Sequence, residues 1–322
     1  MQPLKSGLSG ETFIERVFAE FRGLVIGESH AGVGSKQWLI DNMQALARKG
    51  VKTLYSEHLL TDFHQAALDN YARTSVMPRD LENYLIQLDS GHMTDPLQRY
   101  TFLDLVREAN SKGIRVQAID CLASYRVEGM KTADLSARQR MMNFYAHTVI
   151  EADQAARGPH NWVALVGNSH SNTFEGVAGV SEIEGAVGLR AEDVAEGQSG
   201  GIEADPGKSL GDQMGKNEAL VKGDLRLQVE TPWYTRSSSE IERLLSRPGM
   251  YTLTKKLRNT LLVHRSRTNV IVETDIRFES DRVFIERPEW PTVHEKRFAN
   301  LQALLKALDE RGMKLAGWSK SL

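Results

Sequence analysis

The chain has 322 residues, 41% of them hydrophobic and 25% charged, with a formal net charge of -2. That length buries one large core or two ordinary ones, and two domains suit it better. The near-neutral balance offers no footprint for nucleic acid, the single cysteine (Cys121) precludes an intrachain disulfide, and nowhere do ~18 apolar residues run together as a transmembrane helix requires.

In chain order, Ser9–Phe21 is expected as a short helix capped by Ser9, with Phe13, Val17 and Phe21 at helical spacing. The next run, Arg22–His30, is an apolar strand leading into the turn Gly27-Glu28-Ser29-His30. Small residues over Ala31–Ser35 permit close backbone approach, and Ser35 is placed to cap a helix through Lys49 with Trp38, Leu39, Met43 and Leu46 as its stripe. Gly50 stops that helix, and Val51–Tyr55 forms a second strand running into Ser56-Glu57-His58. A strand, helix, strand unit of this kind crosses over right-handed, so its strands should be parallel.

Thr61–Thr74 and Pro78–Leu88 read as helices, and the polar run Ser90–Pro96 as a lid that brings His92 or Asp95 over a ligand. Tyr100–Lys112 is a further helix, feeding a third strand that ends in Asp120-Cys121. Thr132–Arg157 is long and amphipathic, with Met141, Phe144, Tyr145, Val149 and Ile150 as the expected core face. The fourth strand, Trp162–Val166, runs into Gly167-Asn168-Ser169-His170, a second Gly-x-x-His, and Ala186–Val194 offers a further strand. Glu196–Gly223 is rich in glycine and poor in large apolar residues, as a linker would be. The expected organisation is therefore an α/β domain over residues 1–195, a linker over 196–230 and a smaller domain over 231–322. From Trp233 onward Lys and Arg number 17 against 11 Asp and Glu, so the tail is basic and suits an acidic partner.

Four strands each end on acid, imidazole, amide or thiol groups, and in an open α/β sheet such ends face the ligand crevice. His30, Glu57 and His170 are accordingly expected to converge on one site, where an imidazole acts as general base and a carboxylate orients it or binds a divalent metal. Glu28, His58, His92, Asp120 and Asn168 are the supporting candidates. Cys121 suits a small buried hydrophobe better than a nucleophile, and His64 and His147 fall inside helical patterns as packing or surface residues.

At these residues the chain resembles the erythromycin esterase, haem-binding uptake (ChaN) and Tiki superfamily, over about Phe21–Val194. The run from Gly27-Glu28-Ser29-His30 through Ser56-Glu57-His58 and Gly91–Pro96 to Gly167-Asn168-Ser169-His170 is most similar to the branch found in bacterial effectors and in the C-terminal region of Pasteurella-type mitogenic toxins. The resemblance implies a mainly parallel sheet with helices on both faces, and a secreted effector acting in the host cytoplasm. It implies a hydrolase, metal-assisted or using His and Glu alone, with a host protein or small molecule as substrate. His30 matches the esterase's general-base histidine, Glu57 its carboxylate and His170 its late histidine, and the same three would hold a metal. A scaffold that binds host protein, haem or membrane lipid without turnover is the alternative the same kinship allows.

The tail resembles a Src homology 2 domain through Trp233-Tyr234, Glu242–Leu253 and Phe298–Leu305. That resemblance implies an α+β fold with strands near Met250–Thr254, Thr260–His264, Val270–Ile276 and Arg282–Ile285 and a final helix near Phe298–Glu310. The family's phosphate-binding arginine falls on Thr254, leaving Lys255, Lys256 and Arg258 as the nearby cations for a phosphotyrosine peptide.

Overall fold

A computed structural model describes residues 9–29, 32–92, 100–124, 135–194, 197–211, 218–231, 251–257, 260–265, 270–279, 282–287, 290–310 and 313–315. The chain divides into two compact units, Met1–Leu88 with Tyr100–Thr231, and Asp89–Arg99 with Pro232–Leu322.

The first unit is an α/β layer structure. Helix α1 (Gly10–Glu20) begins as expected, with the Ser9 hydroxyl accepting the Thr12 N–H, and buries Phe13, Ile14 and Val17. Strand β1 (Gly23–Glu28) is buried along its whole length, the pattern of a central parallel strand covered on both faces. Helix α2 (Gly34–Arg48) follows, then β2 (Val51–Leu60), α3 (Thr61–Thr74), α4 (Arg79–Gly91), α5 (Phe102–Ser111) and β3 (Arg115–Asp120). After α6 (Leu135–Arg157) come β4 (Asn161–Gly167), two single-turn helices α7 (Asn168–Ser171) and α8 (Val180–Ile183), and β5 (Val187–Val194).

Three features differ from the sequence reading. Ser35 does not cap α2: the carboxylate of Asp193, on β5, accepts the N–H groups of Val33 (2.8 Å) and Gly34 (2.9 Å) and does the capping from a strand distant in sequence. The buried face of α6 is Met142, Ala146 and Ile150, and Phe144 is 69% exposed. Two apolar stripes lie about one residue apart on this helix, and the one bearing small Ala146 packs against the sheet. The glycine-rich stretch expected as a linker carries β6 (Ile202–Ala204), β7 (Lys208–Gly211) and β8 (Glu218–Val221), followed by β9 (Leu225–Glu230). Leu225, Leu227 and Val229 alternate inward on β9, and Arg190 forks onto Asp205 at 2.8 Å through both Nε and Nη2, so a few anchors hold a segment of small residues in place.

The seven-stranded sheet has the order β3-β2-β4-β1-β5-β9-β6. Strands β1 to β5 and β9 are parallel to their neighbours, and β6 pairs antiparallel at the edge. One face is covered by α1, α2 and α5, with Leu24, Leu39, Leu54 and Leu165 in its core; the other carries α6, with Val25, Tyr55, Met142 and Val166. The connection leaving β1 packs on the first face and the one leaving β4 on the second, so the sheet opens a crevice at the carboxyl ends of these neighbours.

The second unit has a five-stranded sheet, β13-β12-β11-β10-β14, from β10 (Tyr251–Leu257), β11 (Thr260–Arg265), β12 (Val270–Glu279), β13 (Arg282–Ile285) and β14 (Met313–Leu315). Strands β10 to β13 are antiparallel and β14 joins β10 in parallel. Helix α9 (Leu301–Glu310) puts Leu304 and Leu308 into a small core with Ile276, Ile285 and fully buried Trp290. This is an α+β arrangement, with strands and a final helix near the expected positions.

Candidate functional site

Successive side chains of a strand point to opposite faces, and the end of β2 uses both. Tyr55 belongs to the α6 side, so Glu57 does too; Leu54 belongs to the α2 side, and His58 with it. Glu28, at the end of β1, shares the face of His58.

On the α2 side, Glu28 is the hub. Its Oε1 lies 3.0 Å from His58 Nε2, while Oε2 accepts the Ser35 hydroxyl at 2.5 Å and faces Lys36 Nζ at 3.6 Å. Lys36 is wholly buried, donates to the Gly32 carbonyl at 2.8 Å and sits 4.5 Å above the Phe102 ring. Burial alone pushes the Glu28 carboxyl up, but Lys36, His58 and Ser35 together hold it well below the usual carboxylate range. Tyr84 donates to the His58 carbonyl at 2.8 Å, and the His58 ring packs on Phe102 with centroids 4.7 Å apart.

On the α6 side, Glu57 Oε2 accepts the Gly167 N–H at 2.6 Å and Oε1 lies 3.5 Å from His170 Nε2. Both residues are buried, 4% exposed each. Burial raises the Glu57 carboxyl, but His170, His58, the Gly167 N–H and Arg138 outweigh it and leave it depressed. Arg138 reaches in from α6, with Nη1 3.3 Å from His170 Nε2 and Nη2 3.5 Å from Asp120 Oδ2. Asp120 accepts the Ser124 hydroxyl (2.6 Å) and the Cys121 N–H (2.7 Å). Its carboxyl is nonetheless raised, first by burial and then by the nearby Glu57 charge.

The expected trio is thus present in part: Glu57 and His170 meet, and His30 lies outside the described residues. Glu28 and His58 form a network of their own, back to back with Glu57 through the β2 backbone. Asp120 joins the Glu57 side through Arg138. Asn168 is half-buried at the start of α7. His92 is a half-buried turn residue after α4 in the second unit, and Asp95 lies outside the described residues. Lys255 and Lys256 are on β10, and Arg258 is outside the described residues. Cys121 is a buried free thiol, in keeping with a packing role. His64 stacks on Tyr84 with centroids 3.8 Å apart, and His147 lies 2.7 Å from Glu184.

Sequence reasoning missed Arg138, Asn143 and the burial of Lys36. Arg138 and Asn143 lie five apart on α6, and placing its buried stripe on Met141, Phe144 and Tyr145 turned Asn143 away from the sheet. The i, i+4 series Met142, Ala146, Ile150 was the signal that could have placed them.

A divalent metal does not fit the Glu57–His170 pair as arranged. A guanidinium 3.3 Å from the histidine nitrogen occupies the ligand's open side and would repel a cation there. His147, Glu151 and Glu184 have ligand atoms within 4.8 Å of one another on α6 and beyond α8, away from these strand ends. Among the described residues, no helix is long and apolar enough to cross a membrane.

No family model matches the chain. Over 188 residues it is 29% identical to a multifunctional-autoprocessing repeats-in-toxin protein of Vibrio vulnificus, a match that covers 57% of this chain and 3% of that one. The chain therefore spans a small fraction of the curated relative's length. Among solved structures it is similar to the RRSP effector domain of a Vibrio vulnificus MARTX toxin, with 25% identity, 58% of this chain and 36% of that chain covered, and a TM-score of 0.47. It is also similar to the C-terminal region of the Pasteurella multocida toxin, with 15% identity, 72% and 27% covered, and a TM-score of 0.44. The similarity in sequence is to bacterial protein toxins.

Proposed function

We propose that the chain is a toxin-effector hydrolase whose first unit cleaves an ester or peptide bond of a host molecule, with the Glu57–His170 pair as its proton-transfer centre. The observation that carries this reading is the burial of a carboxylate and an imidazole 3.5 Å apart at the carboxyl ends of β2 and β4. A fold hosts many chemistries, so the argument rests on the site. An imidazole here can take a proton from water, and the imidazolium that forms faces the depressed Glu57 carboxylate, which stays ionised to stabilise it. Arg138 adds a fixed positive charge beside the pair, suited to the negative charge that builds on a carbonyl oxygen during acyl transfer. The erythromycin esterase and Tiki resemblance, with the relation to bacterial toxins, supports hydrolysis and delivery to a host cell. The α+β second unit, of Src-homology-2-like element order, would serve as the adaptor.

The test is turnover of a panel of peptides, esters and nucleotides by the wild type, His170→Ala and Glu57→Gln. We expect kcat to fall by ~10²–10⁴ in His170→Ala, the range for loss of a general base, in protein that circular dichroism shows to be folded at the assay temperature. Equal turnover in wild type and His170→Ala would overturn the assignment. No turnover by wild type, with a host protein or lipid bound that the two variants lose, would make the site a binding scaffold.

A further inference from the structure

We propose that Asn143 is a positioning residue that fixes the neutral His170 ring as its Nδ1–H tautomer and so leaves Nε2, between Arg138 and Glu57, to take the proton. This deepens the reading of that pair as a proton-transfer centre and rests on it.

The argument starts from which end of the Asn143 amide faces the ring. Asn143 is 1% exposed, and its Oδ1 lies 2.7 Å from His170 Nδ1. An amide can face an imidazole with either end, since its oxygen accepts and its nitrogen donates. The far end decides: Nδ2 donates to the Ala178 carbonyl at 2.8 Å. Turning the amide over would set two acceptors, Oδ1 and the Ala178 carbonyl, against each other in a buried place, and an unmade buried hydrogen bond is expensive. Oδ1 therefore faces His170, and Nδ1 must carry the hydrogen.

The second nitrogen gives the same answer from a different neighbour. Nε2 lies 3.3 Å from Arg138 Nη1. A guanidinium has donors and no acceptor, so the nitrogen it meets must offer a lone pair. Asn143 and Arg138 thus both favour a neutral ring with its hydrogen on Nδ1, the tautomer that free imidazole side chains favour less in water, while Glu57 Oε1, 3.5 Å from Nε2, favours an N–H there once the ring is protonated.

The framework holds this arrangement. Gln139, next to Arg138 on α6, donates through Nε2 to the carbonyls of Ser169 (2.7 Å) and Phe174 (3.2 Å), which pins the short segment bearing His170 to the same helix. When Nε2 takes a proton, each ring N–H has an acceptor ready, Asn143 Oδ1 on one side and Glu57 Oε1 on the other. Groups that hold a metal-binding imidazole from behind change activity by about 10–100-fold when lost, and a similar factor is expected for Asn143 behind His170.

The experiment is a long-range ¹H–¹⁵N correlation spectrum of the histidine rings in the full chain, at a pH where His170 is neutral, with its signal identified by its absence from His170→Gln. The expected wild-type result is a pyrrole-type Nδ1 and a pyridine-type Nε2. Asn143→Asp gives up the donor to the Ala178 carbonyl but keeps an acceptor at Nδ1, and should keep that pattern if it folds. Asn143→Leu should move the hydrogen wholly or partly to Nε2, and lower kcat about 10–100-fold with KM little changed. Asn143→Ala provides the same reading if leucine disturbs the helix. A wild-type ring with its hydrogen on Nε2, or a pattern unchanged in the apolar variants, would overturn the proposal. The spectrum needs no substrate, so a protein that hydrolyses nothing would sink the hydrolase reading while the tautomer is judged on its own.

Discussion

Lys36 carries a charge with no exposure to water, and it persists because Glu28, the Gly32 carbonyl and the Phe102 ring surround it. Breaking such a pair leaves an uncompensated buried charge, whereas replacing both members need not. Lys36→Met should therefore destabilise the chain by about 3–5 kcal/mol, and Glu28→Gln with Lys36→Met should recover much of that loss. Denaturant melts of the two single variants and the double variant check this, and additive losses would contradict it. Proton linkage gives a second expectation. Glu28 and Glu57 have folded values depressed below the ordinary 4.5, so the stability each contributes is complete above 4.5 and is lost as pH falls through the folded values beneath it. Asp120 runs the other way: its folded value is raised, so its contribution is complete below the ordinary 3.8 and lost as pH rises through the folded value. Glu57→Gln should flatten the fall in stability below pH 4.5, measured by midpoint against pH; an unchanged acid limb would argue against an ionised Glu57. At this scale the sequence disclosed Glu57 and His170, because each ends an apolar run beside a turn. It hid Arg138 and Asn143, whose partners are set by the rotation of one helix about its axis.

Among the elements, β1 and α7 fit closely at the site. A Cβ added at Gly27 would come within 2.6 Å of Ser171 Oγ and 2.9 Å of Asn168 Oδ1, so only glycine lets α7 settle on the strand. Gly27→Ala should cost about 1–3 kcal/mol by overpacking and move His170 with its helix, so activity should fall together with stability. A thermal midpoint equal to wild type would contradict this close approach. The Asp193 cap on α2 predicts a loss of about 0.5–2 kcal/mol in Asp193→Ala, although the residue is on a different element. Most helices and the first four strands were legible because their periodicity and their glycine stops are local. The cap was not, because its donor groups and its acceptor lie 160 residues apart. Nor were β6 to β9, which lie in or beside a stretch poor in large apolar residues and are held by pairing with other strands.

For the whole molecule, β9 pairs along six residues of β5, and β6 closes the edge, so the sheet continues well past residue 195. A chain ending at Thr231 keeps that pairing and should melt cooperatively; one ending at residue 195 exposes the flank of β5 and the inward face of α2, and should not. Circular dichroism melts of the two fragments distinguish them, and equal cooperativity would mean that the later strands add nothing. The parallel class of the sheet was legible from alternating strands and helices, while its full width depended on long-range pairing. The claim on which the rest depends is that the Glu57–His170 pair gives a toxin-type effector its activity. Growth of eukaryotic cells expressing the wild type, His170→Ala and Glu57→Gln at matched levels measures this without knowledge of the substrate. The account predicts growth arrest by the wild type and relief of it in both variants; arrest by all three alike would contradict it.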